Sequence, residues 1–246
     1  MNFNTMCDND LNKELATNLD NKFSGQKPSI IIEWFTKHYK KEEIVFTTSF
    51  GAEDQVLTDI IVSIDSKIIF LTIDTGRLFQ ETYNTMERTV ERYGIKIKTI
   101  FPDYKMLEKM VDDKGINLFY YSVENRKLCC NIRKKEPLNR TLKNFKIWIT
   151  GLRRAQSITR NNMRTVEWDE EHKMIKVNPL IDWSENDVWD YIKQNNIPYN
   201  SLHNKGFRSI GCLPCTRATG TENDIRAGRW WWENPENKEC GLHTDK

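Results

Sequence analysis

Two cysteines stand side by side in "RKLCCNIRKKEPL", at Cys129 and Cys130, and two more form a CxxC in "GCLPCTRATG", at Cys212 and Cys215. Ligands supplied as two close pairs far apart in sequence are a usual way to hold a metal centre, and CxxC is a common half-site. Neighbouring side chains on a helix diverge by about 100°. An adjacent pair therefore converges poorly on one zinc ion. A cubane iron–sulfur cluster is wider and offers four separate iron corners, so it takes such a pair more easily. The spacing ranks iron–sulfur ahead of zinc and leaves a zinc staple between two lobes open. A redox dithiol at the CxxC would leave Cys129 and Cys130 unexplained.

Cys240 stands apart from these four, in the polar tail "NKECGLHTDK". A lone terminal cysteine is commonly an incidental thiol in a frayed end. His243, three residues on, could support a thiolate if the tail folds over a cationic site, and is otherwise a solvated tail histidine. Cys7, in the polar N-terminal segment, reads as incidental. Cations gather in two places: Arg133, Lys134 and Lys135 after the cysteine pair, and Arg217, Arg226 and Arg229 after the CxxC. Charge runs are mostly solvated faces. A metal centre that gathers both cysteine pairs, however, also gathers both basic groups, and an anionic substrate would find converging Lys and Arg. "RWWWE" at 229–233 reads as packing, with an aromatic pocket wall as the second reading.

These residues need a scaffold. Short β-branched runs, "EIVFTTS", "KIIFLTID", "IKIKTI" and "FKIWIT", alternate with helical periods at Ile30–Tyr39, "QVLTDIIVSI" and Leu78–Tyr93. That alternation predicts an α/β fold with a mainly parallel sheet and helices on both faces. The segment 101–140 reads as helical with a break at Pro137. "DWSENDVWDYIKQNNIPY" reads as a helix with Ser184 as N-cap and Asp187 at N3, closed by Asn196 and Pro198. After Tyr199 the chain turns loop-rich. Ligands gather beyond the carboxyl ends of such strands, where "SFGAED", "DTGR" and "GLRR" fall. A lone glycine there would be an ordinary turn. Three such loops together predict a nucleotide pocket drawing on Ser49 and Gly51, on Asp74, Gly76 and Arg77, and on Gly151, Arg153 and Arg160. No Lys-Ser/Thr of a Walker A loop is present, so a triphosphate with Mg²⁺ is not the natural guest.

Composition narrows the partners. The 246 residues suffice for one large domain with a substantial core. The division expected is a polar lead-in over 1–27, a nucleotide-binding domain with the cysteine pairs over 28–233, and a mobile tail over 234–246. A formal charge of +2, from 37 basic and 35 acidic residues, argues against a general nucleic-acid binder. No apolar run approaches a membrane span and the start carries no signal core, so a cytoplasmic protein is expected. In a reducing compartment the six cysteines read as ligands, reactive thiols or bystanders rather than disulfides. Whether the chain forms a homo-oligomer is left open.

With these motifs assembled, the sequence resembles the assimilatory sulfonucleotide reductases, and among them the iron–sulfur adenylyl-sulfate (APS) reductase group. The likeness runs from about Ile44 to His243 through "SFGAEDQVL", "DTGRLFQETY", "CCNIRKKEPL", "GLRRAQS", "NPLIDW", "IPYNSLHNKGFRSIGCLPCTRA", "RAGRWWWE" and "KECGLH". The resemblance implies an adenine-nucleotide α-hydrolase fold related to PP-loop ATP pyrophosphatases. It implies a 4Fe–4S cluster on Cys129, Cys130, Cys212 and Cys215, with Lys134, Arg226, Arg229 and His243 around the phosphosulfate. It also implies that Cys240 attacks the sulfur of APS, expels AMP and carries an S-sulfonate. A thiol reductant, thioredoxin or glutaredoxin, then releases sulfite for cysteine biosynthesis. No thioredoxin-like segment follows Lys246, so the reductant is expected to be a separate protein. The pyrophosphatases carry an SGGxDS loop where this chain has "SFGAED", which fits a substrate with no pyrophosphate to cradle.

Three rivals remain at this stage. The same chemistry could act on 3′-phosphoadenylyl sulfate (PAPS), or on both substrates, although family members restricted to PAPS generally lack the four cluster cysteines. A tRNA-thiolating enzyme would keep the intact SGGxDS loop. A non-catalytic, zinc-binding nucleotide sensor would make Cys240 dispensable.

Overall fold

A computed structural model describes residues 3–156, 160–220 and 224–234. The chain opens with helices α1 (Phe3–Phe23) and α2 (Pro28–His38), then alternates β1 (Ile44–Thr47), α3 (Ala52–Asp65), β2 (Ile69–Ile73), α4 (Gln80–Tyr93) and β3 (Ile97–Ile100). Helices α5 (Tyr104–Lys114), α6 (Val123–Cys130) and α7 (Glu136–Leu142) precede β4 (Ile147–Ile149). A hairpin of β5 (Val166–Asp169) and β6 (Met174–Val177) and helix α8 (Glu185–Gln194) follow. The sheet order is β3-β2-β1-β4-β6-β5, with every pair parallel except the edge strand β5.

Strand alternation sends side chains to two cores. Ile44, Phe46, Phe70, Ile147 and Ile149 face a cluster built with Leu19 and Phe23 of α1, Ile31, Ile32 and Phe35 of α2, and the apolar faces of α3 and α8. Val45, Leu71 and Trp148 point the other way, onto Leu138 and Leu142 of α7. Both faces are covered, as a parallel sheet requires. The N-terminal segment, read from sequence as a polar lead-in, contributes one of these covering helices. Its Asp20 carboxylate accepts the Val166 N–H at 3.1 Å.

Sequence and structure part company in two places. The β5–β6 hairpin was not predicted, because its strands carry a buried charge pair instead of an apolar run. Lys176 lies opposite Glu167 in register, 2.9 Å away, with its ammonium over the Trp148 ring. The expected break at Pro137 is also displaced. Pro137 sits in the first turn of α7, and the irregularity is a five-residue π-helical turn, Asn131–Lys135, just before it. A proline ring collides with the carbonyl four residues back; a wider turn there relieves the collision and re-aims Arg133 and Lys134. The α8 capping box forms as predicted, with Asp187 N–H donating to Ser184 Oγ at 3.1 Å and Ser184 N–H to Asp187 Oδ2 at 2.7 Å.

Candidate active site

A cleft opens beyond the carboxyl ends of β1, β2 and β4. Its floor is the turn from β1 into α3, where Phe50 takes a left-handed φ of 59° and Gly51 caps the helix. A glycine turn at a helix N-terminus normally offers its N–H groups to an external anion. Here the anion is internal. Asp54 Oδ2 accepts the Ser49 N–H at 2.6 Å and the Ser49 hydroxyl at 2.8 Å, and Gly51 N–H adds a further bond. Burial raises this carboxyl to about 6, with the Ser49 bonds pulling the other way. Gly151, after β4, has to be glycine: a Cβ there would lie 2.3 Å from Asp54 Oδ1.

Glu53 lines the same floor and is tied from behind by Arg153, whose Nε and Nη2 donate to Oε1 at 2.8 and 2.7 Å. Arg153 is itself buried and also donates to the Trp183 carbonyl at 3.3 Å. It stands behind the floor instead of lining it. Arg160, Ser49, Gly51 and Gly151 do line the cleft.

The opposite wall is cationic. Lys134 arrives from the π-helical turn, and Arg226 and Arg229 from the C-terminal loops. Arg229 stacks over Trp230 at 4.6 Å and is pressed against Gly211, where a Cβ would meet its guanidinium carbon at 2.5 Å. The other predicted cations go elsewhere. Lys135 pairs with Glu171 at 3.0 Å, Arg217 lies over Trp231, and Arg133 donates to the Thr75 carbonyl at 2.6 Å.

Next to this wall, Cys129, Cys130, Cys212 and Cys215 gather in one apolar cluster with Ile132, Phe119 and Trp230. The Thr75 hydroxyl is 3.3 Å from Cys212 Sγ, and Trp230 N–H donates to the Cys215 carbonyl at 3.1 Å. Burial pushes the Cys212 thiol up, but Lys134, the Thr75 hydroxyl, Arg229 and Arg133 outweigh it and hold Cys212 below its ordinary value. Cys215 is driven up to about 12 by burial and by Cys212 and Cys130. These mutual influences show the four thiols within electrostatic reach of one another and of the cleft cations. They are the residues that could hold a metal centre, although among the described residues no three His, Cys, Asp or Glu side chains meet as a single-ion site.

The "DTGR" loop is placed otherwise than expected. Asp74 accepts from the Tyr83 hydroxyl at 3.0 Å to both oxygens and from Gly76 N–H at 2.7 Å. Arg77 donates to Asn117 and the Ile116 carbonyl and lies over Phe119. Arg77 thus ties this loop to the cysteine lobe, Asp74 and Gly76 hold the loop together and to α4, and it is Thr75 between them that lines the cleft. The tryptophans of "RWWWE" do not line it; Trp230 and Trp232 pack in the cysteine cluster, and Trp231 is exposed. Cys240 and His243 lie outside the described residues, as does the side chain of Cys7.

Sequence reasoning quoted "SFGAED" and "SLHNKGFRSIG" without selecting Glu53, Asp54, His203 or Arg208, all of which line the cleft. Among the described residues His203 Nε2 is buried without a hydrogen-bond partner, and burial lowers the imidazole's pKa, favouring the neutral ring. A carboxylate placed where the pyrophosphatase loop has its last serine was the available signal for Asp54.

Residues 43–218 match the model of the phosphoadenosine phosphosulfate reductase domain. The chain belongs to this family. Among its relatives, the adenosine 5′-phosphosulfate reductase of Allochromatium vinosum is 50% identical over 202 residues, covering 82% of this chain and 79% of that one. The enzyme of the same name from Burkholderia cepacia is 48% identical over 204 residues, 83% and 82% of the two chains. Among solved structures, phosphoadenylyl-sulfate reductase from Candida auris, in a phosphate complex, superposes with a TM-score of 0.72 at 26% identity, over 83% of this chain and 97% of that one. FMN adenylyltransferase from Candida glabrata (TM-score 0.56, 18% identity, 92% of this chain and 77% of that one) shares the fold alone. The mainly parallel α/β fold expected from the sequence is thus shared with these solved structures, and the relatives named here are sulfonucleotide reductases.

Proposed function

We propose that the protein reduces APS to sulfite and AMP in sulfate assimilation. The observation that carries this reading is the junction of a cation-lined nucleotide cleft with a four-cysteine pocket. Relatives at about half identity are named for APS, which supports that substrate over PAPS. The floor supports it too. An added phosphate would find the donors of the glycine turn already serving Asp54, and two carboxyl side chains beside them.

On this reading Lys134, Arg226 and Arg229 hold the phosphosulfate and neutralise its charge as the S–O bond breaks. The Cys240 thiolate, supported by His243, attacks the sulfur. The S–O electron pair leaves with AMP, and Cys240 carries the sulfonate. A thiolate of thioredoxin or glutaredoxin then attacks the Cys240 sulfur, and sulfite departs with the S–S electron pair. The reductant's second thiol closes its own disulfide and frees Cys240.

Cys129, Cys130, Cys212 and Cys215 would hold a 4Fe–4S cluster. Four soft donors from two chain segments, in an apolar pocket with cations beside them, fit that group. When bound, the cluster supplies a cross-link between α6 and the CxxC loop, and a charged centre that the neighbouring cations answer. Among the described residues no helix is long and apolar enough to cross a membrane, and a cytoplasmic setting follows from the need for a thiol reductant.

The test is turnover of APS and PAPS in parallel by anaerobically purified protein, with AMP and sulfite quantified. APS should be favoured at least roughly tenfold in kcat/KM, about 1.4 kcal/mol. Without reductant, APS should add about 80 Da to the peptide containing "ECGLH", as expected of a covalent intermediate that accumulates before its resolving step. A preference for PAPS would reassign the substrate. Full activity in Cys240→Ser would overturn the mechanism.

A further inference from the structure

Removing one partner of a buried ion pair leaves the other charge uncompensated, so a buried pair bridging distant segments fixes their relative position strongly. Arg126 of α6 makes such a pair. Its side chain is 0% exposed, and that of Glu233, 107 residues later in sequence, is 4% exposed. Nε donates to Oε1 at 3.0 Å and Nη2 to Oε2 at 2.8 Å, a two-pronged geometry that constrains direction as well as distance. The same guanidinium lies over the Trp230 ring at 4.6 Å and hydrogen-bonds Cys130. One side chain therefore touches the adjacent-cysteine helix, the tryptophan packed in the cysteine pocket, and Glu233. Asn234 beyond it is exposed.

We propose that Arg126 is a positioning residue, clamping Glu233 so that the segment carrying Cys240 departs from a fixed point and in a fixed direction beside the cysteine pocket. This rests on the reading of Cys240 as the nucleophile. Cys240 follows Glu233 by seven residues, a reach of at most about 25 Å. Without the clamp, the next side chain held in place is Trp232, whose ring packs against Tyr120 at 4.5 Å, and the tether grows from seven residues to eight. For a featureless flexible tether, effective concentration falls as about the −3/2 power of length, less than roughly twofold here. A clamp that also sets direction costs more when lost, and that difference separates the two cases.

The experiment compares wild type, Glu233→Gln, Arg126→Lys and Glu233→Asp, all anaerobically purified. Single-turnover formation of the Cys240 sulfonate from APS should fall at least about tenfold in the first two variants, well beyond the tether limit. AMP affinity and iron per chain should stay within about twofold, and Glu233→Asp, which keeps the charge, should recover part of the rate. Independently of turnover, the amides of Trp230 to Glu233 should lose hydrogen-exchange protection in Glu233→Gln. Sulfonate rates within twofold of wild type in both variants would overturn the clamp. So would a parallel loss of AMP affinity and iron, which marks a general folding role. A wild-type protein that forms no sulfonate would overturn the Cys240 reading instead, with the exchange measurement still deciding whether Arg126 holds Glu233.

Discussion

Asp54 offers the most quantitative check, because its environment pushes one carboxyl in two directions. Three donors favour its charged form, while full burial opposes it, and burial wins: the group rises from 3.8 to about 6. In the unfolded chain Asp54 ionises near 3.8, whereas in the folded chain it holds its proton to about 6. Between those values the folded state binds more protons, so its contribution to stability is greatest below about pH 4, falls as pH rises, and levels above about pH 6. Two units at about 1.4 kcal/mol each give about 3 kcal/mol across the window. Asp54→Asn keeps the shape and an acceptor for Ser49 but cannot ionise. The Tm difference between variant and wild type should therefore move in favour of the variant by roughly 6–12 °C from pH 4 to pH 7, at about 2–4 °C per kcal/mol. Differential scanning of both proteins at one scan rate reads it, and the contributions of other groups cancel in the difference. Parallel Tm curves would refute the reasoning, because they would mean the Ser49 and Gly51 bonds outweigh burial.

Three further outcomes are expected. Alanine at Lys134, Arg226 or Arg229 should each cost about 2–4 kcal/mol in kcat/KM for APS, the scale of a lost preorganised charge contact, and wild-type kinetics in all three would return them to a solvated face. Anaerobically purified protein should be brown with about four iron and four sulfide per chain; serine at Cys129 or Cys212 should lower both, and stoichiometric zinc without sulfide would count against the cluster. Arg153→Met strands Glu53 at the cleft floor and should cost about 3 kcal/mol of stability, roughly 6–12 °C in Tm; an unchanged Tm would mean solvent already screens Glu53.

How much of this the sequence disclosed depends on what each signal was made of. Four of the five parallel strands, β1 to β4, were legible because each is a short β-branched run between helical periods, and α8 because Ser184 and Asp187 form a capping box three residues apart. The β5–β6 hairpin was not, since a Glu167–Lys176 pair buried across two strands looks polar until the partner is known. At the site, the sequence singled out Lys134, Arg226 and Arg229, which meet at one wall from segments about ninety residues apart. It singled out Asp74 and Arg77 too, whose side chains turn to Tyr83 and to the loop at Ile116. A motif names a loop, but which side chain of that loop faces the cleft depends on the backbone. The Arg126–Glu233 pair was invisible for a related reason, because neither residue belongs to a motif that announces its partner.

The two glycines that admit side chains by their own absence of one explain the polarity of the cleft. Gly151 makes room for Asp54 at the floor, and Gly211 makes room for Arg229 at the wall. In each case the missing Cβ lets a charged group of one sign approach the backbone closely, and the signs are opposite. The result is a cleft with carboxyls from Glu53 and Asp54 at the strand ends and with Lys134, Arg226 and Arg229 on the side of the cysteine pocket. An anionic group entering it is repelled from the floor and attracted to the wall, over the few ångströms where such charges are least screened. A mononucleotide whose single acidic chain must end beside the cysteines is thereby oriented by charge as well as by fit. The carboxyl that occupies the donors of the glycine turn and the cations of the opposite wall are two halves of the same selection.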